Sequence, residues 1–263
     1  CAPRRNLGAA RYVFHQAANP RVTTQALFRE DAYLRECDAV VTQVGDDGVE
    51  LDRTIFYPLG GGQAGDTGFI TTASGVRLRV LDTRKVKREG ATPDDALHIF
   101  DPASDWRSHL AAGMPVRAQI DWDRRYRHMR FHTATHLLCA VVKQMVDGCS
   151  ITPDYARLDF AMTELLHKQH VQDELDALIA TATPVDCEWI SDDEMRANPQ
   201  LVKSMSVSPP IGFGRVRLMR VRDIDLQPCG GTHVANTAEI GAVRVARIEK
   251  KSAKTRRVVL EFA

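Results

Sequence analysis

Two short segments carry the side chains best suited to chemistry: His132-Thr133-Ala134-Thr135-His136 and Cys229-Gly230-Gly231-Thr232-His233. Each spaces a pair of nitrogen or sulfur donors four positions apart, and together they supply three imidazoles and one thiol. Thiolate and neutral imidazole favour zinc over calcium or magnesium, which take oxygen ligands. The run 131–145 has apolar residues at helical spacing and neither Pro nor Gly. Residues four apart on such a helix share a face, so His132 and His136 can reach one ion. In the second segment Gly230 and Gly231 predict a turn with backbone angles that other residues resist, letting Cys229 and His233 curl around the same ion. The pairs lie far apart in the chain, so tertiary structure must assemble the site; this is no compact zinc finger. Spacing alone leaves one choice open, because His128 lies four residues before His132 and could pair with it in place of His136.

A third segment is Arg53-Thr54-Ile55-Phe56-Tyr57-Pro58-Leu59-Gly60-Gly61-Gly62-Gln63-Ala64-Gly65-Asp66-Thr67-Gly68. Its glycines could cradle a phosphate, but the Lys-Ser/Thr of a P-loop and the spacing of a dinucleotide fingerprint are both missing, so nucleotide binding is disfavoured. Around it, short β-rich runs at 39–44, 49–57, 76–81, 97–100 and 116–121 alternate with turns, which predicts a small antiparallel barrel. The run 165–180 reads as an amphipathic helix, and Ser191 with Glu194 as a capping box opening another. Strand-like runs return at 216–221, 242–248 and 258–262, so the second half is α+β. The expected organisation is an N-terminal extension at 1–21, a barrel domain at 22–122 and a metal-binding α+β domain at 123–263.

With 44% hydrophobic residues in 263, the chain can bury one or two cores. It has no apolar run approaching the roughly 18 residues of a membrane span, and no signal-peptide apolar region, so a cytoplasmic location is expected. Its six cysteines are too sparse for a secreted disulfide scaffold: Cys229 reads as a ligand and Cys139 as a small buried hydrophobe. A net charge of +1 gives no global argument for nucleic acid, but Arg124, Arg125, Arg127 and Arg130 form one basic cluster. Lys250, Lys251, Lys254, Arg256 and Arg257 form another. Either could neutralise RNA phosphates.

These motifs, in this order, resemble the alanyl-tRNA editing family: the editing domain of alanyl-tRNA synthetase and its free-standing AlaX relatives. The resemblance rests on Phe56-Tyr57-Pro58, Gly61-Gly62-Gln63, Asp66 and Gly68, then on the His132–His136 segment with Leu137-Leu138. Arg157-Leu158-Asp159-Phe160, Cys229 to Val234, Glu239-Ile240-Gly241 and Arg256-Arg257 follow. It covers 23–263 and favours His132 with His136 over His128. The resemblance implies a second half folded like the second additional (editing) domain of threonyl- and alanyl-tRNA synthetases. It also implies a zinc-containing hydrolase that cleaves the ester joining serine or glycine to alanine tRNA, acting in trans on tRNA already charged.

By the same resemblance, Thr135 corresponds to an editing-pocket threonine, Thr54 to a threonine that recognises the serine hydroxyl, and Gln63 to a group holding a loop or touching the terminal adenosine. Gly61, Gly62 and the basic residues Arg124, Arg125, Arg127, Lys250, Arg256 and Arg257 are candidate substrate or RNA contacts. The stiff segment Ser208-Pro209-Pro210-Ile211-Gly212-Phe213-Gly214 could wall the pocket. Four protein ligands normally close a zinc site, so the metal is expected to orient substrate more than to generate hydroxide. The chain also has no His-Glu-x-x-His arrangement to provide a base. One departure is Ser150, where many family members carry Gln; it favours an alternative, a non-catalytic zinc-stabilised RNA-binding or synthetase-associated module.

Overall fold

The computed structural model describes residues 23–263, so the expected extension at 1–21 lies outside the described residues. The fold is α+β. After the short strand β1 (Gln25–Ala26) come β2 (Glu36–Val44), β3 (Gly48–Leu51), β4 (Arg53–Thr54), β5 (Gly68–Thr72), β6 (Arg77–Lys85), β7 (Ala96–Phe100) and β8 (Pro115–Ile120). Six of these close an antiparallel barrel in the order β2-β3-β7-β6-β5-β8. Inward residues alternate along the strands, as in Gly68 to Thr72 with Ile70 buried, and they fill the interior with Val41, Leu51, Val80 and Phe100, joined by Trp106 from the turn after β7. The sequence reading missed β5, which emerges directly from the glycine-rich segment and has few strand-like residues before it.

Helix α1 (Trp122–Val142) starts nine residues earlier than the apolar run suggests. Asp121 caps it by accepting from the Arg124 backbone N–H at 3.4 Å. Its arginine-rich first half hides the apolar period. From Phe131 to Cys139 every side chain is buried, because the helix runs between the sheet and the Cys229 loop and has no solvent face there. The chain then forms β9 (Val146–Ile151), β10 (Tyr155–Ala161), α2 (Lys168–Ala180), β11 (Val185–Ser191), α3 (Asp192–Ala197), β12 (Arg215–Val221), β13 (Asp225–Pro228), β14 (Val243–Ser252) and β15 (Thr255–Phe262). One sheet runs β14-β15-β10-β9 and a smaller one β11-β12-β13. The core beneath α1 and α2 includes Phe131, Leu137, Leu158, Phe160, Val171 and Leu260. The capping box at Ser191 and Glu194 is formed.

The glycine-rich segment docks the barrel onto α1. Asp66 is buried and accepts from the Tyr57 backbone N–H at 2.6 Å and from the guanidinium of Arg125. Arg125 also donates to the carbonyls of Ala32 and Ile55. Arg125 is fully buried and spends its donors on this junction, so it is no phosphate contact, contrary to the reading of the basic cluster. Arg256 is buried too, and Arg257, though partly exposed, is committed to an ion pair, so both are also corrected. Arg257 pairs with buried Asp159 directly across β15 and β10, and Arg256 donates to the carbonyls of Thr163, Ser252 and Thr255.

Candidate metal centre and its cavity

His132, His136, Cys229 and His233 converge, with one ligand atom from each lying within 4.8 Å of all the others. His132 and His136 come from the buried half of α1, and Cys229 and His233 from the loop after β13. The Cys229 sulfur lies 3.4 Å from His132 Nε2 and 3.2 Å from His233 Nε2. His128 is buried one turn earlier, outside the cluster, with neither ring nitrogen hydrogen-bonded.

The surroundings prepare all three imidazoles for one task. His132 Nδ1 donates to Gln63 Oε1 at 2.8 Å, His136 Nδ1 to Asp225 Oδ2 at 3.0 Å, and His233 Nδ1 to Thr133 Oγ1 at 3.1 Å. The Thr133 hydroxyl is free to accept because its own proton goes to the Met129 carbonyl. Every Nδ1 is thereby taken, which leaves every Nε2 lone pair for a metal. Burial alone would raise the Cys229 thiol, but His132 and His233 beside it bring it well below its ordinary value. Burial works against the His136 imidazolium, but Asp225 and the Cys229 sulfur outweigh it and hold that group up at about 9. Burial and His132 together push His233 down to about 3. The donor set fits zinc.

The two loop glycines act otherwise than expected. Neither Gly230 nor Gly231 has a positive φ. A Cβ on Gly231 would lie 2.1 Å from His132 Cε1, so the residue is needed for close approach to the ligand ring. Gly62 combines both demands, with φ of 86° and a would-be Cβ 2.6 Å from Cys149 Sγ.

A cavity of about 520 Å³ opens over the cluster. His132, His136 and Cys229 line it and His233 does not, so three donors face the opening and the fourth lies behind. Thr135 and Gly61 also line it, as do Ser208, Pro209, Pro210 and Phe213 of the stiff segment. The Thr135 hydroxyl donates to the His132 carbonyl at 2.7 Å, so only its lone pairs remain for a guest. Thr54 does not reach the cavity. It is buried inside the barrel, where its hydroxyl meets His98 Nε2 at 2.8 Å and accepts from the Phe56 N–H at 3.0 Å. Gln63 is buried as well and acts on the metal ligands: besides holding His132 it accepts from the Thr232 N–H at 3.2 Å and donates to Thr232 Oγ1 at 3.0 Å. Cys139 lines the cavity from the core, and burial pushes its thiol up to about 12.

Neither basic cluster lines this cavity. Arg124 donates to the Gly65 carbonyl and Arg127 to that of Pro153, while Lys250 is exposed elsewhere. The cavity's cations are Arg29, Lys85, Lys203, Arg215 and Arg217, which are scattered in sequence and gave no cluster to find. Arg217 steadies the ligand loop by donating to the carbonyls of Cys229 and Gly231 at 3.0 and 2.9 Å. Ser150 is absent from the lining, whereas its strand neighbour Cys149 is present, as alternation along β9 requires.

Known proteins resemble the chain along most of its length. An alanyl-tRNA editing protein AlaX-M of Methanosarcina barkeri is 35% identical over 243 residues, covering 89% of this chain and 97% of the relative. The chain belongs to the alanyl-tRNA editing (AlaX) family. A second AlaX-M, of Methanosarcina acetivorans, is 34% identical over 244 residues with the same coverage. The alanine–tRNA ligase of Saccharolobus islandicus is 35% identical over 237 residues, 86% of this chain but only 25% of the ligase. The family described as threonyl and alanyl tRNA synthetase second additional domain matches residues 216–259, and that of class II (A) tRNA synthetases matches 6–124. AlaX membership joins the two halves of the fold that the motifs had linked. Among the described residues no helix is long and apolar enough to cross a membrane.

Proposed function

We propose that the protein is a zinc-dependent deacylase that removes serine or glycine from mischarged alanine tRNA, in trans and in the cytoplasm. The observation that carries this reading is the cluster of four metal donors showing a three-donor face to a cation-lined cavity. A zinc ion held by His132, His136, Cys229 and His233 would supply Lewis-acid stabilisation of charge on an ester oxygen, or an anchor for the amino group. The chain's own residues supply the rest. Gln63, Asp225 and Thr133 hold the imidazoles in one tautomer and one orientation. Thr135, its proton committed to the helix carbonyl, offers lone pairs that accept from an ammonium or a serine hydroxyl. Alanine has no hydroxyl to donate there, so for serine Thr135 takes over the sieve role that the resemblance gave to Thr54; glycine, which lacks a hydroxyl too, is not selected by this contact. The cations around the opening neutralise the phosphates of the incoming RNA end. The non-catalytic alternative drew on Ser150, which lies outside the cavity lining.

Deacylation of seryl-, glycyl- and alanyl-tRNA(Ala) with and without zinc tests the reading. Zinc-dependent loss of serine or glycine, with alanine spared, is the expected result. Zinc-replete protein inactive on both mischarged substrates refutes it.

A further inference from the structure

One wall of the cavity is apolar and reaches solvent. Of the eleven exposed large apolar side chains among the described residues, five belong to one stretch of chain: Trp189, Met205, Val207, Ile211 and Phe213. Scattered exposure is ordinary, but this stretch gathers at the opening of a functional cavity, which Trp189, Val207 and Phe213 line. Its two aromatic rings are held out rather than left loose. Phe213 is 55% exposed and sits between Gly212 and Gly214, whose φ angles are 107° and 86°. Both glycine N–H groups donate to Asp192 Oδ2 at 3.0 Å, which ties the turn to the capped start of α3. Trp189 is 41% exposed, stands on β11 opposite Arg217, and carries the Arg215 guanidinium 4.2 Å from its ring centre. Braced aromatic faces beside cations suit one class of guest. Unpaired nucleobases stack on aromatic rings while arginine and lysine neutralise the linking phosphates.

The geometry points to Trp189 and Phe213 as a stacking platform for the unpaired bases that precede the terminal adenosine of an RNA 3′ end. This rests on the reading of the cavity as the site of the aminoacyl ester. Charge complementarity selects the occupant: Arg29 is paired with Asp94 and Lys203 with buried Asp225, which leaves Lys85, Arg215 and Arg217 against Glu30 around the cavity, so a polyanion is drawn to this wall.

The test is fluorescence anisotropy with an RNA hairpin labelled at its 5′ end, carrying either an unpaired ACCA 3′ tail or a blunt end. The unmodified protein is expected to bind the tailed hairpin at least about tenfold more tightly than the blunt one. Trp189→Ala and Phe213→Ala should each weaken tailed binding about tenfold and leave blunt binding unchanged, while Trp189→Phe and Phe213→Tyr preserve the preference. Phe213 is exposed on a turn, so its variant stays informative even if Trp189→Ala fails to fold. Equal binding of the two hairpins by the unmodified protein overturns the platform. So does a dimer in sedimentation that Phe213→Ala abolishes, which would give the patch to a second copy of the chain. A tail preference without deacylation of mischarged tRNA would sink the catalytic reading alone and leave the platform standing.

Discussion

Replacing Gln63 separates two roles that its motif leaves together. If the side chain acts by holding His132, Gln63→Ala must weaken the metal before it affects substrate. The variant removes the acceptor for His132 Nδ1 at 2.8 Å and for the Thr232 N–H at 3.2 Å, and the donor to Thr232 Oγ1 at 3.0 Å. His132 loses the partner that fixes its tautomer, a loss worth about 10- to 100-fold in metal affinity. That corresponds to about 1.4–2.8 kcal/mol. The buried Thr232 N–H loses its acceptor too, at about 1–3 kcal/mol of stability, toward the low end where water fills the vacated space. Gln63→Glu keeps an oxygen facing His132, and the Thr232 hydroxyl can turn to donate, so its zinc affinity should stay within about threefold of the parent. Competition against a chromophoric zinc chelator measures affinity, and deacylation at saturating zinc measures what remains. A Gln63→Ala variant with parental zinc affinity and abolished turnover would refute the positioning argument and make Gln63 a substrate contact.

Cys229→Ala should weaken zinc binding and lower deacylation, with three imidazoles still present, while the melting temperature falls by no more than about 5 °C; global unfolding in circular dichroism would instead make the centre structural. Arg125→Ala leaves Asp66 charged and buried, and urea denaturation should show a loss of about 3–5 kcal/mol; a loss below about 1 kcal/mol would remove the junction from the account. Asp159 predicts acid sensitivity. Burial raises its carboxyl, but Arg257, Lys251 and Arg157 outweigh that and carry it down to about 2. A depressed folded pKa gives stability that is fully present above the unfolded value of roughly 3.9 and is lost as pH falls through the folded one. The stability gap between the protein and Asp159→Asn should therefore hold above about pH 4 and shrink by on the order of 1–2 kcal/mol toward pH 2, as followed by urea titrations. A gap unchanged across that window would remove Asp159 from the acid response.

The sequence makes legible what depends on residue type and spacing. His132 and His136 stand out because one turn of helix fixes their separation, and the barrel because its strands alternate. Strands β9 and β10 escape notice because their residues look wrong in isolation. Gly148 weakens the first, and Asp159 in the second is buried only because Arg157, Lys251 and Arg257 converge on it from its own strand and from β14 and β15. Tertiary neighbours set that burial. Clustered charge misled in the opposite direction, since Arg125, Arg256 and Arg257 satisfy carbonyls and carboxylates within the fold.

The same distinction explains how a complete set of four donors can still serve a reaction. Ligand count alone argues for a closed site, because four protein donors fill a tetrahedron. Count does not say which way the donors face. Here His233 lies behind the cluster and is absent from the cavity wall, while His132, His136 and Cys229 form part of that wall. Each of these cavity-lining ligands is also fixed from outside the cavity: His132 by Gln63, His136 by Asp225, and the Cys229 loop by Arg217. A guest can therefore approach three ligands without displacing the groups that orient them. The cavity side offers Thr135 as an acceptor beside that face, so selection by a donating hydroxyl and approach to the metal centre fall within one pocket. Thr135→Val tests the coupling because it removes the acceptor without touching a ligand. Discrimination of seryl- from alanyl-tRNA should drop by about 10- to 100-fold with zinc affinity unchanged, and unchanged discrimination would move the sieve away from this helix.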